Sequence, residues 1–368
     1  MFFDREYSRE QLLAHCGSAR QLARIISCEL NDGKERGVRA LIFQTGGGLN
    51  FTVVPDRGMD IAYADFLGKS LAWVSPSSIV APQYYEPEGW NWVRGFYGGL
   101  LVTCGLMNVG RPDVIDGDAH GAHGRISYTP ATNVSYDMVW AGDDLYLLAR
   151  GEMRDYRMDR YNLVLKRRIQ VRAGDTSLRI HDTLVNEGPR SVSYQIIYHV
   201  NAGFPILTRH SYFTTTSRMI TPLNKVADEV KEHWRLCNDP TPDFQELIYY
   251  HDALACSDGK VWAGLINPNL DGGFGLYVKY DPTHLPILMQ WKMFGQGTYV
   301  MGIEPTNSFG LSLERQKALG MVHYIEPEQE IDFHLELGVL ANSEDIASFE
   351  REISVVMPTP PDFGSTLE

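Results

Sequence analysis

Residues 331–340 read Ile-Asp-Phe-His-Leu-Glu-Leu-Gly-Val-Leu, so that Phe333, Leu335 and Leu337 alternate with Asp332, His334 and Glu336. A period of two sends apolar side chains to one side of an extended backbone and polar ones to the other, the pattern of a half-buried strand. Runs with strand character recur at 144–150, 161–172, 177–186, 191–200, 261–266, 275–280 and 288–293, and again from Ile303 onward. Turn residues separate them, as in Ala173-Gly174-Asp175 and Glu187-Gly188-Pro189. Strands that each bury one face must pack against another sheet, so the chain is expected to be all-β, built from large packed sheets with a few short helices.

Helical signals are confined to a few places. Ser8-Arg9-Glu10-Gln11 has capping-box spacing and predicts a short helix over 8–16, and helical periodicity marks 343–352 and a stretch near 224–236. Near the N-terminus, Asn31-Asp32-Gly33-Lys34 reads as a turn, and Val38, Ala40 and Ile42 fall on one face. Gly46-Gly47-Gly48 invites a phosphate-loop reading. It lacks the following Lys-Ser/Thr and a helix start, so a hairpin turn is expected. With no fixed-period repeat and no Pro/Ser linker, the expectation is one domain over 1–356 and a loose tail over 357–368, whose final Leu367-Glu368 reads as a cloning scar without structural weight.

Composition excludes some functions. A net charge of −13 without a basic face argues against nucleic acid. The five cysteines are scattered with no Cys-x-x-Cys pair, which fits reduced thiols in a cytosol. The polar start and the lack of an apolar run of roughly 20 residues point to a cytoplasmic protein without a membrane partner.

Three segments carry titratable groups on or beside expected strands: His123-Gly124-Arg125, Tyr198-His199-Val200-Asn201 and Gly302-Ile303-Glu304-Pro305. A proton donor beside a proton acceptor is the minimum set for opening a sugar hemiacetal. Pro305 holds Glu304 extended, and its apolar neighbours would raise its pKa toward that of a useful base. Arg57, Arg94, Arg125 and Lys292 offer donors for substrate oxygens, with Asn201 beside His199. Trp73, Trp90, Trp92, Trp262 and Trp291 offer flat faces for a sugar. Asp118, His120 and His123 are alternative metal ligands, but no third position is fixed by spacing and a cupin-type His-x-His is missing. No metal site is therefore expected.

Taken in order, these pieces resemble the aldose 1-epimerase (galactose mutarotase-like) superfamily. So do Asp56-Arg57-Gly58-Met59-Asp60-Ile61 and 98–106 (Gly-Gly-Leu-Leu-Val-Thr-Cys-Gly-Leu), which look closest to a bacterial branch of unknown function. The resemblance spans roughly residues 20–340. It implies a single β-supersandwich with an open cleft for a small-molecule sugar, acting without cofactor or metal, and a monomer or homodimer is expected. It also implies His199 as general acid toward the ring oxygen, Glu304 as general base on the anomeric hydroxyl, and His123 near the ring oxygen. The sugar-binding aspartate of the superfamily has no clear counterpart, Asp252 and Asp271 being candidates. Two other readings compete: a sugar-binding protein without turnover, and an isomerase acting at another carbon through Asp118, His120 and His123.

Overall fold

A computed structural model describes residues 7–357 and 359–368. Two large, mostly antiparallel sheets dominate it. In the 13-stranded sheet the central strands run Asp60–Phe66, Leu101–Leu106, Val192–Ala202, Thr298–Thr306, Ile287–Gly295 and Leu247–Ala253. The 8-stranded sheet contains Tyr161–Arg172, Ser177–Asn186 and Glu330–Leu340. The alternation at 331–340 works as expected: Ile331, Phe333, Leu335 and Leu337 are buried, whereas Asp332 and His334 are exposed.

Between the sheets lies the main core, where Leu163, Leu165, Ile180 and Phe333 join Ile196 and Tyr198. An ion cluster crosses it. Arg167 of the smaller sheet binds Asp182 at 2.7 Å on its neighbouring strand and Asp60 of the larger sheet at 2.8 Å, all three fully buried. Thr103 and the carbonyl of Gly58 accept from the same guanidinium, and the Tyr198 hydroxyl donates to Asp182 at 2.7 Å. Such a cluster is tolerated only because nearly every charge is hydrogen-bonded.

A second apolar layer, including Val102, Cys104, Ile197, Tyr250 and Met289, lies on the outer face of the larger sheet, under loops bearing Ile79, Trp92, Tyr97 and Tyr128. Arg57 pins those loops. Its Nε, Nη1 and Nη2 donate to the carbonyls of Ser127, Val80 and Gly95, and it stacks against Tyr97 and Tyr128. With no exposed surface, it has none left for a sugar, which corrects its expected role.

The capping box forms around the helix Arg9–His15, and Ser343–Val356 is a helix capped by Asn342. The 224–236 stretch is a helix Lys225–Glu229 followed by a 3₁₀ turn, not one helix. The triglycine turn packs on the other turn seen in sequence: a Cβ on Gly47 would lie 2.4 Å from the Gly174 carbonyl oxygen, so only glycine lets the two sheets meet there. The tail is not loose coil throughout, since Asp362–Phe363 pairs parallel with Ser217–Pro222. Among the described residues, no helix is long and apolar enough to cross a membrane.

Candidate functional site

Strand alternation decides where the titratable groups go. On Val192–Ala202, Tyr198 points into the intersheet core and His199 to the outer face. The neighbouring strand Thr298–Thr306 pairs with it so that Val200 opposes Ile303 and Ile197 opposes Thr306. That register sets His199 across from Glu304. His199 Nε2 is 3.3 Å from Glu304 Oε1, near enough for proton transfer but not aligned as a hydrogen bond, and both carboxyl oxygens lack partners. Gly302 makes room for the carboxyl group: a Cβ there would sit 2.0 Å from Oε1.

His123 comes from a loop. It adopts left-handed backbone geometry (φ 56°) and packs against Trp92, with ring centroids 4.6 Å apart. Its ring lies 6.1 Å from that of His199. The Gly110 N–H donates to His123 Nδ1 at 3.4 Å. A neutral ring accepting at Nδ1 carries its hydrogen on Nε2, where it can donate to a ligand. Phe96 and Trp291 pack on His199 from two sides, at 5.5 and 5.4 Å.

These groups share one cavity of about 330 Å³, with walls that include Trp90, Trp92, Trp291, Tyr250 and Met289. Burial dominates its electrostatics. It raises Glu304 well above the ordinary carboxylate range, with the nearby charge of Glu246 acting in the same direction. It lowers His199 to about 3, assisted by His123 and opposed by the nearby Asn201 side chain. His123 is lowered to about 4 by burial alone. Burial thus favours the protonated carboxyl group and keeps both imidazoles neutral at pH 7.

The other candidates lie elsewhere. Asn201 is fully buried, and its Nδ2 donates to the His199 carbonyl at 2.9 Å, which fixes the main chain of the histidine. Lys292 follows Trp291 by one residue and so takes the opposite face, where Nζ donates to the carbonyls of His233 and Trp234 and burial lowers it to about 8. Arg94 is exposed, facing Asn91 and Glu86. Arg125 and His120 line a separate depression with Asp113. Asp118 pairs with Arg157 at 2.7 Å, so Asp118, His120 and His123 do not converge. Among the described residues, no group of three or more His, Cys, Asp and Glu side chains is arranged to hold a metal. Asp252 and Asp271 form ion pairs with Arg218 and Lys69 outside the cavity. Trp73 packs against Phe96, and Trp262 against Phe349, also outside it.

The sequence reading missed three charged residues of the cavity, Arg111, Glu246 and Glu368, the last given no structural weight there. Glu246 accepts a 2.8 Å hydrogen bond from the Trp291 indole, and Arg111 stands on the rim. Neither belongs to a motif. The one available signal was their neighbours, Gly110 before Arg111 and the strand that begins at Leu247.

A family model described as a domain of unknown function, DUF4432, matches residues 35–339. Among solved structures, a Klebsiella pneumoniae protein provisionally described as an aldose 1-epimerase is 27% identical, with a TM-score of 0.89 over 95% of this chain and 93% of that one. A galactose mutarotase-like protein of Clostridium acetobutylicum is 10% identical (TM-score 0.58; 87% and 99% covered). A galactose 1-epimerase of Lactobacillus acidophilus is also 10% identical (TM-score 0.51; 87% and 99% covered). The last two likenesses show the fold alone. No functionally curated protein matches the chain.

Proposed function

The chain belongs to the DUF4432 family and has the galactose mutarotase-like fold, and from that premise we propose that it is an aldose 1-epimerase, interconverting sugar anomers by acid/base ring opening. The observation that carries this reading is the His199–Glu304 pair. A buried carboxyl group with no hydrogen-bond partner destabilises a fold, a cost that a functional role accounts for. Here it stands 3.3 Å from an imidazole, in an aromatic-walled cavity at the small end of the range for ligand sites, which suits one sugar ring.

The pair shares one proton. Burial favours the uncharged form, Glu304 protonated and His199 neutral. Transfer from Oε1 to Nε2 creates carboxylate and imidazolium, a form that hydroxyl groups of a bound sugar would stabilise. Glu304 then takes the anomeric hydroxyl proton as the C1–O1 bond becomes a carbonyl. The bond from C1 to the ring oxygen breaks, and His199 Nε2 gives its proton to that oxygen. This step restores the uncharged pair, so burial of the two groups favours the charge state that accompanies the open-chain aldehyde. Rotation about C1–C2 followed by the reverse transfers closes the other anomer. His123, hydrogen on Nε2, donates toward the ring oxygen. Each acid or base step contributes about 10²–10⁴-fold.

Saturation-transfer NMR across neutral and acidic aldoses tests the reading, with wild type beside Glu304→Gln and His199→Ala. Anomer exchange above the spontaneous rate in wild type, and lost in both variants, is expected. Saturable binding without exchange would identify a sugar-binding protein instead.

A further inference from the structure

Among the described residues, the cavity walls hold a single cationic side chain, Arg111. Its position is built rather than incidental. A Cβ on Gly110 would lie 2.3 Å from the Gly310 carbonyl oxygen, so the two glycines bring their loops into direct backbone contact. The Arg111 N–H donates to that same carbonyl at 3.3 Å, and Asn108 Nδ2 donates to the Arg111 carbonyl at 2.9 Å. Gly110 also exchanges hydrogen bonds with His123, giving its N–H to Nδ1 and accepting from the His123 N–H at 3.1 Å. The cation and the loop histidine are thus held by one tight turn.

The partner of Arg111 is also informative. Beyond its pairing at Asp362–Phe363, the C-terminal segment stays hydrogen-bonded to the edge of the larger sheet. Gly364 donates to Ile220, Leu367 to Pro222 and Glu368 to Leu223. This strap delivers the Glu368 carboxylate to the cavity, where it forms an ion pair with Arg111. The contact is partly open to solvent, with the two side chains 44% and 34% exposed, so water can compete for it. Among the described residues, the only other unburied charge on the wall is Glu246, which faces Trp291.

We propose that Arg111 reads an anionic group on the sugar, and that the Glu368 carboxylate occupies the place of that group until an acidic aldose displaces it. This inference rests on the mutarotase reading above and supplies its substrate class. A guanidinium binds a carboxylate or a phosphate through paired donors, so either acidic group fits, and the exchange keeps Arg111 paired while the displaced, partly exposed Glu368 carboxylate is hydrated.

The test compares D-galacturonate with D-galactose, and D-glucose 6-phosphate with D-glucose, in anomer exchange and in calorimetric binding. The acidic member of one pair is expected to have about tenfold higher kcat/KM, and which pair responds distinguishes carboxylate from phosphate. Arg111→Met brings that ratio toward one, and Arg111→Lys restores part of it. Glu368→Gln lowers KM for the acidic sugar, and this gain disappears in the double variant. Equal kcat/KM within both pairs, or a preference that survives Arg111→Met, overturns the proposal and leaves the mutarotase reading standing. Absence of exchange with every sugar sinks the mutarotase reading. Calorimetry then decides this one, through Arg111-dependent binding of the acidic member or the lack of it.

Discussion

Replacing Gly302 by alanine separates folding from chemistry. The added Cβ would lie 2.0 Å from Glu304 Oε1, 3.0 Å from the Glu304 carboxyl carbon and 3.0 Å from Trp291 Cβ. Ordinary contact begins at 3.4 Å, so the carboxyl oxygen must move by about 1.4 Å (3.4 − 2.0). The moving atom is the end of a flexible side chain with no hydrogen bond to break, so the fold pays little. Alanine also lowers the backbone entropy of the unfolded chain, which offsets strain by roughly 0.5–1 kcal/mol. The chemistry is less forgiving, since displacement of a reacting group by about 1 Å can cost about 10²-fold, or ~2.7 kcal/mol of transition-state stabilisation. Gly302→Ala should therefore melt within a few degrees of wild type while anomer exchange falls about 100-fold. Thermal unfolding and saturation-transfer NMR on one preparation measure both. A folded variant with wild-type exchange would refute the reasoning, because Glu304 could not then be the base in the position described.

Glu304→Gln should raise the melting temperature at neutral pH. Burial raises the Glu304 pKa in the folded chain, so its contribution is most favourable at low pH and is lost as pH rises above the unfolded value near 4.5. The two proteins should converge near about pH 4 and separate by about pH 8, and parallel curves would contradict the burial argument. His251 has the opposite sign. Buried and lowered to about 3, it contributes stability above its unfolded pKa near 6.5 that is lost progressively as pH falls toward 3. His251→Gln should remove about 2 kcal/mol of the wild-type loss between pH 7 and pH 5 in urea titrations. Arg167→Met leaves two buried carboxylates without their cation and should cost about 3–5 kcal/mol in the same assay, a loss below 1 kcal/mol being incompatible with the ion cluster described.

Period-two patterning made the sheets legible, as at 331–340, because alternation reports which face is buried wherever a strand has one wet side. It fails on Val192–Ala202, which is buried on both faces, so that nothing in the sequence says which way His199 points. The grouping of His123, His199 and Glu304 was readable through short motifs. The cations were not, since an arginine's destination depends on the carbonyls or carboxylates that tertiary structure brings to it. Arg57 ended among three carbonyls, and Lys292 on the far side of its strand. The rim residues Arg111, Glu246 and Glu368 meet only because loops from distant parts of the chain converge there.

The pairing of Val192–Ala202 with Thr298–Thr306 bears on how the protein comes to life. His199 and Glu304 are 105 positions apart in the chain (304 − 199) yet face each other across one ladder. Local hairpins such as 161–172 with 177–186 can form early, whereas this pairing must wait until a loop of over a hundred residues has closed. The proton pair is thus assembled by one of the slower steps of folding. During refolding, recovery of turnover should trail the spectroscopic return of strand structure, and catalysis would serve as a clock for completion of the large sheet.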